Sequence, residues 1–202
     1  MGYFILYQAV NEFQQAFGLF VADKPSLPPQ DLRDLRIRLL AEEVREYHEA
    51  DQEWDLVEVA DALVDIAYIV CGTALTYGIA PDGPFSLPYS DDIGLPAFPN
   101  ENMRHDCSTR LTNLFEEYLA AEKENDFSAI SDTLETIIYT VGDIAWVFGF
   151  KFAPLFAEVH RSNMAKLDEN GRPIYREDGK VKKPEGWTPP DIKSILDAQT
   201  SS

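Results

Sequence analysis

Between residues 40 and 156 the chain repeats itself. A shift of 71 positions lays Leu40–Phe85 on Leu111–Phe156 without a gap, and fourteen of the 46 pairs are identical. The identities include Glu46/Glu117, Tyr47/Tyr118, Asp55/Asp126, Asp61/Asp132, Tyr68/Tyr139, Gly78/Gly149 and Phe85/Phe156. Identity of about 30% over that span exceeds what two unrelated acidic helices give by chance, and it marks an internal duplication. Each copy holds two amphipathic stretches of helix length, which is a helical hairpin. One hairpin cannot bury its apolar face alone, whereas two packed together make a four-helix bundle. The expected fold is therefore all-α: a four-helix-bundle core built from two tandem helical hairpins, with an N-terminal helix and an irregular C-terminal arm.

Punctuation in the sequence places the pieces. A first helix is expected from about Tyr3 to Phe17, closed by Gly18. A second runs from about Asp31 to Glu53, where Leu32, Leu35, Leu39, Leu40 and Val44 recur at helical spacing. A third starts near Asp55 and stops at Gly78, a natural C-cap. The stretch from Ala80 to Asn100 carries seven Pro or Gly residues and no periodicity, so it reads as a connection. With 202 residues, one domain is expected: hairpin one at about 31–79, hairpin two at about 103–150, and 151–202 as a helix plus arm. In that last part His160 to Lys166 continue a helix. Asn170-Gly171 and Asp178-Gly179 flank a small β-hairpin, and Trp187, Pro189 and Pro190 mark an arm packing back on the body.

Charge narrows the partners. Thirty-five acids against seventeen bases give a formal −18, which argues against a general nucleic-acid surface and favours metal ions between protein and any anionic substrate. Seven of the seventeen bases nevertheless fall between Arg161 and Lys183. Cys71 and Cys107 do not make a disulfide framework, and Cys71 reads as a buried reduced thiol. No leader-like N-terminus and no stretch of about 18 apolar residues is read in the sequence, so no membrane partner and a cytoplasmic location are expected.

Acids concentrate where chemistry needs them. Ten of the 25 residues from Ala41 to Asp65 are acidic. Glu43 and Glu46 are three apart, as are Glu58 and Asp61, so each pair shares one helix face. Two antiparallel helices joined near Asp55 bring both pairs to one level. Four converging carboxylates repel unless cations neutralise them, and such hard oxygen donors suit Mg²⁺ or Mn²⁺. The bland alternative is a solvated acidic face, with Asp55-x-x-Glu58 serving as a capping box. The second hairpin discriminates. There Leu114 replaces Glu43 and Ala129 replaces Glu58, while Glu117, Asp132 and the capping Asp126 persist. Structural features survive in both copies, and half the donor set survives in one. A single site, in hairpin one, is expected.

Glu42-Glu43-x-x-Glu46, followed twelve residues later by Glu58-x-x-Asp61, resembles the signature of the all-α nucleoside triphosphate pyrophosphohydrolases, the MazG-like superfamily. Val159 to Lys166, Asp178-Gly179-Lys180, Trp187-x-Pro189-Pro190-Asp191 and the opening Val10 to Gly18 look like its phosphoribosyl-ATP pyrophosphohydrolase-like branch. The resemblance covers about two-thirds of the chain. It implies two or three Mg²⁺ (or Mn²⁺) ions held by Glu43, Glu46, Glu58 and Asp61, and water attack at the α-phosphorus of a nucleoside triphosphate. The products implied are a nucleoside monophosphate and pyrophosphate. Glu42 is implied as general base or orienter. Asn163 and Lys166 are implied to contact phosphates, with Arg161 and Lys180 as weaker candidates. Asp65, one turn beyond Asp61, either anchors one of the cations or is a plain surface acid. Short relatives pair hairpins between subunits; here the inserted copy, roughly residues 81–150, can replace the partner hairpin, and a homodimer or homotetramer is still expected.

Other constellations are weaker. Three histidines lack metal-ligand spacing and no Glu-x-x-His pair occurs, which argues against a di-iron bundle. No Gly-rich phosphate loop is present. Phe13, Phe17 and Trp54 either stack a base or simply pack helices. Three other functional readings stay open: hydrolysis of phosphoribosyl-ATP, house-cleaning of damaged nucleotides, and a non-catalytic acidic helical protein that occupies a basic partner.

Overall fold

The computed structural model describes residues 3–79, 101–175 and 181–200. Among them are seven helices: α1 (Tyr3–Ala16), α2 (Gln30–Glu53), α3 (Leu56–Tyr77), α4 (Glu101–Glu124), α5 (Phe127–Val147), α6 (Phe152–Met164) and α7 (Ile192–Thr200). The fold is all-α.

Local chemistry fixes the two hairpin turns. Trp54 ends α2 in the left-handed conformation, and the Asp55 side chain then accepts from the Val57 and Glu58 backbone N–H groups to start α3. The second turn repeats this, with Asn125 left-handed and Asp126 accepting from Ala129 N–H. Trp54 and Asn125 are the non-glycine residues of positive φ among those described, and they are 71 positions apart. The same shift carries α2 onto α4 end to end, and α3 onto α5 except for its last residue.

The hairpins meet as near-symmetric halves. Arg33 on α2 pairs with Glu122 on α4 at 2.8 Å and also donates to the Glu122 carbonyl at 2.5 Å. Its counterpart Arg104 on α4 pairs with Asp51 on α2 at 2.5 Å and donates to the Asp51 carbonyl at 2.9 Å. Position 51 corresponds to 122 as 33 does to 104, so residue i of one half meets residue j of the other, and j meets i. That is the contact pattern of a two-fold dimer, formed here within one chain. The turns join in, since Arg33 donates to Asn125 Oδ1 at 2.5 Å and Arg104 lies 3.8 Å over the Trp54 ring.

α3 is the spine. It packs against α1, α2, α5, α6 and α7, and from Val59 to Tyr77 most of its residues are buried. The expectation that no stretch has the length and apolar character of a membrane span needs a correction here. Leu56–Tyr77 has both, but 83% of its apolar window is buried inside the protein, as suits a core helix. Gly78 closes it at φ 66°, and a Cβ there would stand 2.3 Å from the Lys24 carbonyl oxygen, so the turn requires glycine.

Two expectations change at the C-terminal end. α6 begins at Phe152, well before His160, and Lys166 lies just beyond its last turn. The arm is less irregular than expected, because it ends in α7. Asp191 Oδ1 accepts from Ser194 N–H at its start, Ile192 is buried, and Gln199 clasps both the N–H and the carbonyl of Lys151. Around Asn170-Gly171 the expected β-hairpin is reduced to isolated antiparallel bridges, Leu167 with Pro173 and Tyr175 with Val181. Asp178-Gly179 lies outside the described residues. Trp187 does pack back: its Nε1–H donates to the Ser162 carbonyl at 2.9 Å.

Candidate functional site

The tight turn at Trp54-Asp55 sets α2 and α3 side by side, so that Glu46 and Glu58 face one another across an open groove of roughly 360 Å³ shared with Glu49, Glu53 and Asp55. The Asp55 N–H is already taken by the Ala50 carbonyl, so Glu58 is not needed to complete a capping box. Both Glu46 and Glu58 are exposed at the mouth. Deeper along the hairpin Glu43, Asp61 and Asp65 are half-buried.

Electrostatics show how closely these groups are gathered. Burial pushes the Glu43 carboxyl up to about 8, with Asp65, Glu46, Glu42 and Asp61 adding like-charge repulsion. Burial raises Asp61 to about 6, helped by Glu58 and Glu46. Burial and Asp61 raise Asp65 to about 7, opposed by the Lys166 ammonium. The four expected donors and Asp65 therefore share one electrostatic neighbourhood. Two of their oxygens, Glu43 Oε2 and Asp61 Oδ1, are buried without a hydrogen-bond partner. An unsatisfied buried carboxylate oxygen is costly unless something electropositive meets it. Hard oxygen donors with orphaned lone pairs fit a divalent cation. Among the described residues no three Asp, Glu, His or Cys side chains are closed on one point as a finished cage; Glu46 and Glu58 line the groove, and Glu43, Asp61 and Asp65 are within electrostatic reach of them.

The remaining candidates separate. Lys166, half-buried beside Asp65, donates to Asn163 Oδ1 at 2.7 Å, and Asn163 in turn meets the Tyr68 hydroxyl, so both lie at the carboxylates. Arg161 is elsewhere. Two residues from Asn163, or about 200° around a helix, it binds Glu158 at 2.7 Å and reaches Thr188, clamping the arm. Lys180 lies outside the described residues. Glu42 is exposed on α2 next to Glu43. Phe17 is core, 3% exposed and 4.2 Å from the Phe13 ring, and Trp54 is held under Arg104. Phe13 instead lines a pocket of roughly 140 Å³ between α1, α2 and α3, together with Arg36, Gln14 and Tyr68. Sequence reasoning missed Arg36 and Gln14. The signal available was Arg36 lying ten residues before Glu46, and seven before Glu43, on the same helical stripe.

Among the described residues, hairpin two has no such site. Leu114 stands where Glu43 would and is buried, Ala129 replaces Glu58, and Thr136 replaces Asp65. The largest of the described cavities, about 740 Å³, opens elsewhere between α2 and α4, lined by His48, Asp51, Trp54 and Arg104 and by none of the candidate donors.

Residues 10–86, which contain every one of these carboxylates, match the family described as phosphoribosyl-ATP pyrophosphohydrolase. An uncharacterized protein of Acanthamoeba polyphaga mimivirus is 32% identical over 178 residues, covering 80% of this chain and 70% of that protein. The family match supports a nucleotide pyrophosphohydrolase-like function. The chain belongs to the phosphoribosyl-ATP pyrophosphohydrolase-like branch of the MazG-like, all-α superfamily.

Proposed function

We propose that this protein is a divalent-metal-dependent nucleoside triphosphate pyrophosphohydrolase that converts a (d)NTP to its monophosphate and pyrophosphate by water attack at the α-phosphorus. The observation that carries the reading is the pair of buried, partnerless oxygens on Glu43 and Asp61, two acids close enough on neighbouring helices to repel one another. Glu43, Glu46, Glu58 and Asp61 would hold Mg²⁺ or Mn²⁺, with Asp65 behind them. Such ions, when bound, polarise phosphoryl oxygens and lower the pKa of bound water. The chain supplies the rest. Lys166, fixed by its bond to Asn163, offsets phosphate charge at the rim of the carboxylate cluster. Glu42, exposed beside Glu43, accepts the proton of the attacking water. The groove between α2 and α3, open at Glu46 and Glu58, leaves room there for the phosphates of a triphosphate.

The family description keeps phosphoribosyl-ATP as the rival substrate. A nucleotide panel including it, incubated with Mg²⁺ and resolved chromatographically for monophosphate product, tests the reading. Chelator, Glu43→Gln and Asp61→Asn are each expected to abolish release. Pyrophosphate release at the wild-type rate in either variant would sink the assignment.

A further inference from the structure

The helix faces that carry the carboxylates continue beyond the acids themselves. On α3 the stripe Glu58, Asp61, Asp65 continues to Ile69 and Gly72; on α2 the stripe Glu46, Glu43 continues back through Leu39 to Arg36. Both stripes run into the pocket of roughly 140 Å³ that α1 roofs with Val10, Phe13 and Gln14. Seven residues of α3 separate Asp65 from Gly72, about 10 Å along the helix axis. That suits the reach from the phosphates of a nucleotide to its base.

Two polar side chains in this pocket are built in and incompletely used. Arg36 is 8% exposed, and its recorded bonds go to neutral groups: Nε to Thr73 Oγ1 at 2.9 Å, and a terminal nitrogen to the Ile69 carbonyl at 2.5 Å. No carboxylate pairs with it among the described residues, and burial pulls its guanidinium down to about 10. Gln14 is 2% exposed; its Nε2 donates to the Gly72 carbonyl at 3.1 Å, and its Oε1 is buried with no partner. Gly72 makes room for both, since a Cβ there would meet Arg36 at 2.7 Å and Gln14 at 3.1 Å. The rest of the lining is apolar or aromatic, with Phe13 and Tyr68 rings 5.4 Å apart at right angles. The counterparts of Arg36 and Gly72 in hairpin two are Cys107 and Asp143, so the feature belongs to the carboxylate-bearing half alone.

We propose that this pocket is the base subsite, and that Arg36 and Gln14 select bases presenting a ring carbonyl next to a ring N–H. The guanidinium can only donate and Gln14 Oε1 can only accept. Together they complement the lactam edge of uracil, thymine, guanine or hypoxanthine. Cytosine and adenine present an amino group beside a bare ring nitrogen. In the register that puts a lactam carbonyl at Arg36 and its ring N–H at Gln14, that pattern sets donor against Arg36 and acceptor against Gln14 Oε1, leaving buried groups unpaired. The proposal rests on the pyrophosphohydrolase reading for its catalytic consequence and on the pocket alone for binding.

The test is a panel of dUTP, dTTP and dGTP against dCTP and dATP, with Mg²⁺ and initial rates of pyrophosphate release. The first group is expected to exceed the second in kcat/KM by about tenfold or more, the scale set by one mispaired buried polar group. Gln14→Met is expected to collapse that ratio to within about threefold. Calorimetric binding of dUMP and dCMP to the intact protein in chelator gives a readout without turnover, and dUMP is expected to bind more tightly. Preference for dCTP or dATP, or equal treatment of both groups, overturns the proposal. If Gln14→Met fails to fold, the wild-type panel and the binding pair still decide. If no nucleotide is hydrolysed yet dUMP is favoured over dCMP, the catalytic reading falls and the subsite stands.

Discussion

Replacing Glu43 by Gln is expected to stabilise the metal-free protein at alkaline pH. The folded-state pKa of Glu43 is lifted from 4.5 to about 8, chiefly by burial and then by the neighbouring acids. Between those values the native protein keeps a proton that the unfolded chain has released, so stability falls as pH rises through the window. A shift of that size has a ceiling of about 5 kcal/mol at 1.36 kcal/mol per unit. Glu43 is only half-buried, and solvent screening reduces the expected penalty at pH 8 to about 2 kcal/mol. Gln is nearly isosteric and carries no charge. For a chain of this size about 2 kcal/mol corresponds to a rise of roughly 4–8 °C in Tm. The assay is thermal unfolding followed by circular dichroism in chelator, for wild type and Glu43→Gln, from pH 5 to pH 8. The Gln variant should melt higher at pH 8, and the gap should close toward pH 5. A variant no more stable than wild type at pH 8, or a gap constant with pH, refutes the argument that Glu43 is a desolvated, repelled carboxylate.

Other outcomes follow from the same geometry. Glu122→Ala strands the buried Arg33 guanidinium and is expected to cost about 3–5 kcal/mol in urea unfolding, and the more exposed counterpart Asp51→Ala should cost less. Gly78→Ala forces a side chain into the Lys24 carbonyl at positive φ, and a loss of more than about 1 kcal/mol in the same assay is expected. Lys166→Met should lower kcat/KM about tenfold or more, whereas Arg161→Met, on the far face of α6, should leave turnover unchanged. Glu117→Gln, exposed in the hairpin without a site, should shift stability by less than about 0.5 kcal/mol and leave turnover alone.

Much of this architecture is written in local signals. Asp55, Asp126, Gly78 and the 71-residue echo place the helices of both hairpins nearly residue by residue, because caps and turns are decided by a few neighbours. The electrostatic proximity of Glu43, Glu46, Glu58 and Asp61 is legible for a related reason: it needs only two helices joined by one short turn. Features that need three or more elements were not. Arg36 and Gln14 look like unremarked helix residues until α1 lies over α2 and α3. The resemblance offers Arg161 as a weaker phosphate candidate beside Asn163, although two residues on a helix face nearly opposite ways. α7 escaped notice because nine residues after a proline-rich segment give little periodicity, and its stability comes from docking on α3 and α6.

The reciprocal pairs Arg33–Glu122 and Arg104–Asp51 have a further effect. Two separate hairpins held by such contacts would come apart on dilution, and any groove that needed both would vanish with them. Tethering the halves in a single polypeptide replaces a bimolecular association with a local one whose effective concentration never drops. The scaffold behind the carboxylates should therefore persist at nanomolar protein, leaving the second half free to drift in sequence so long as it keeps its grip.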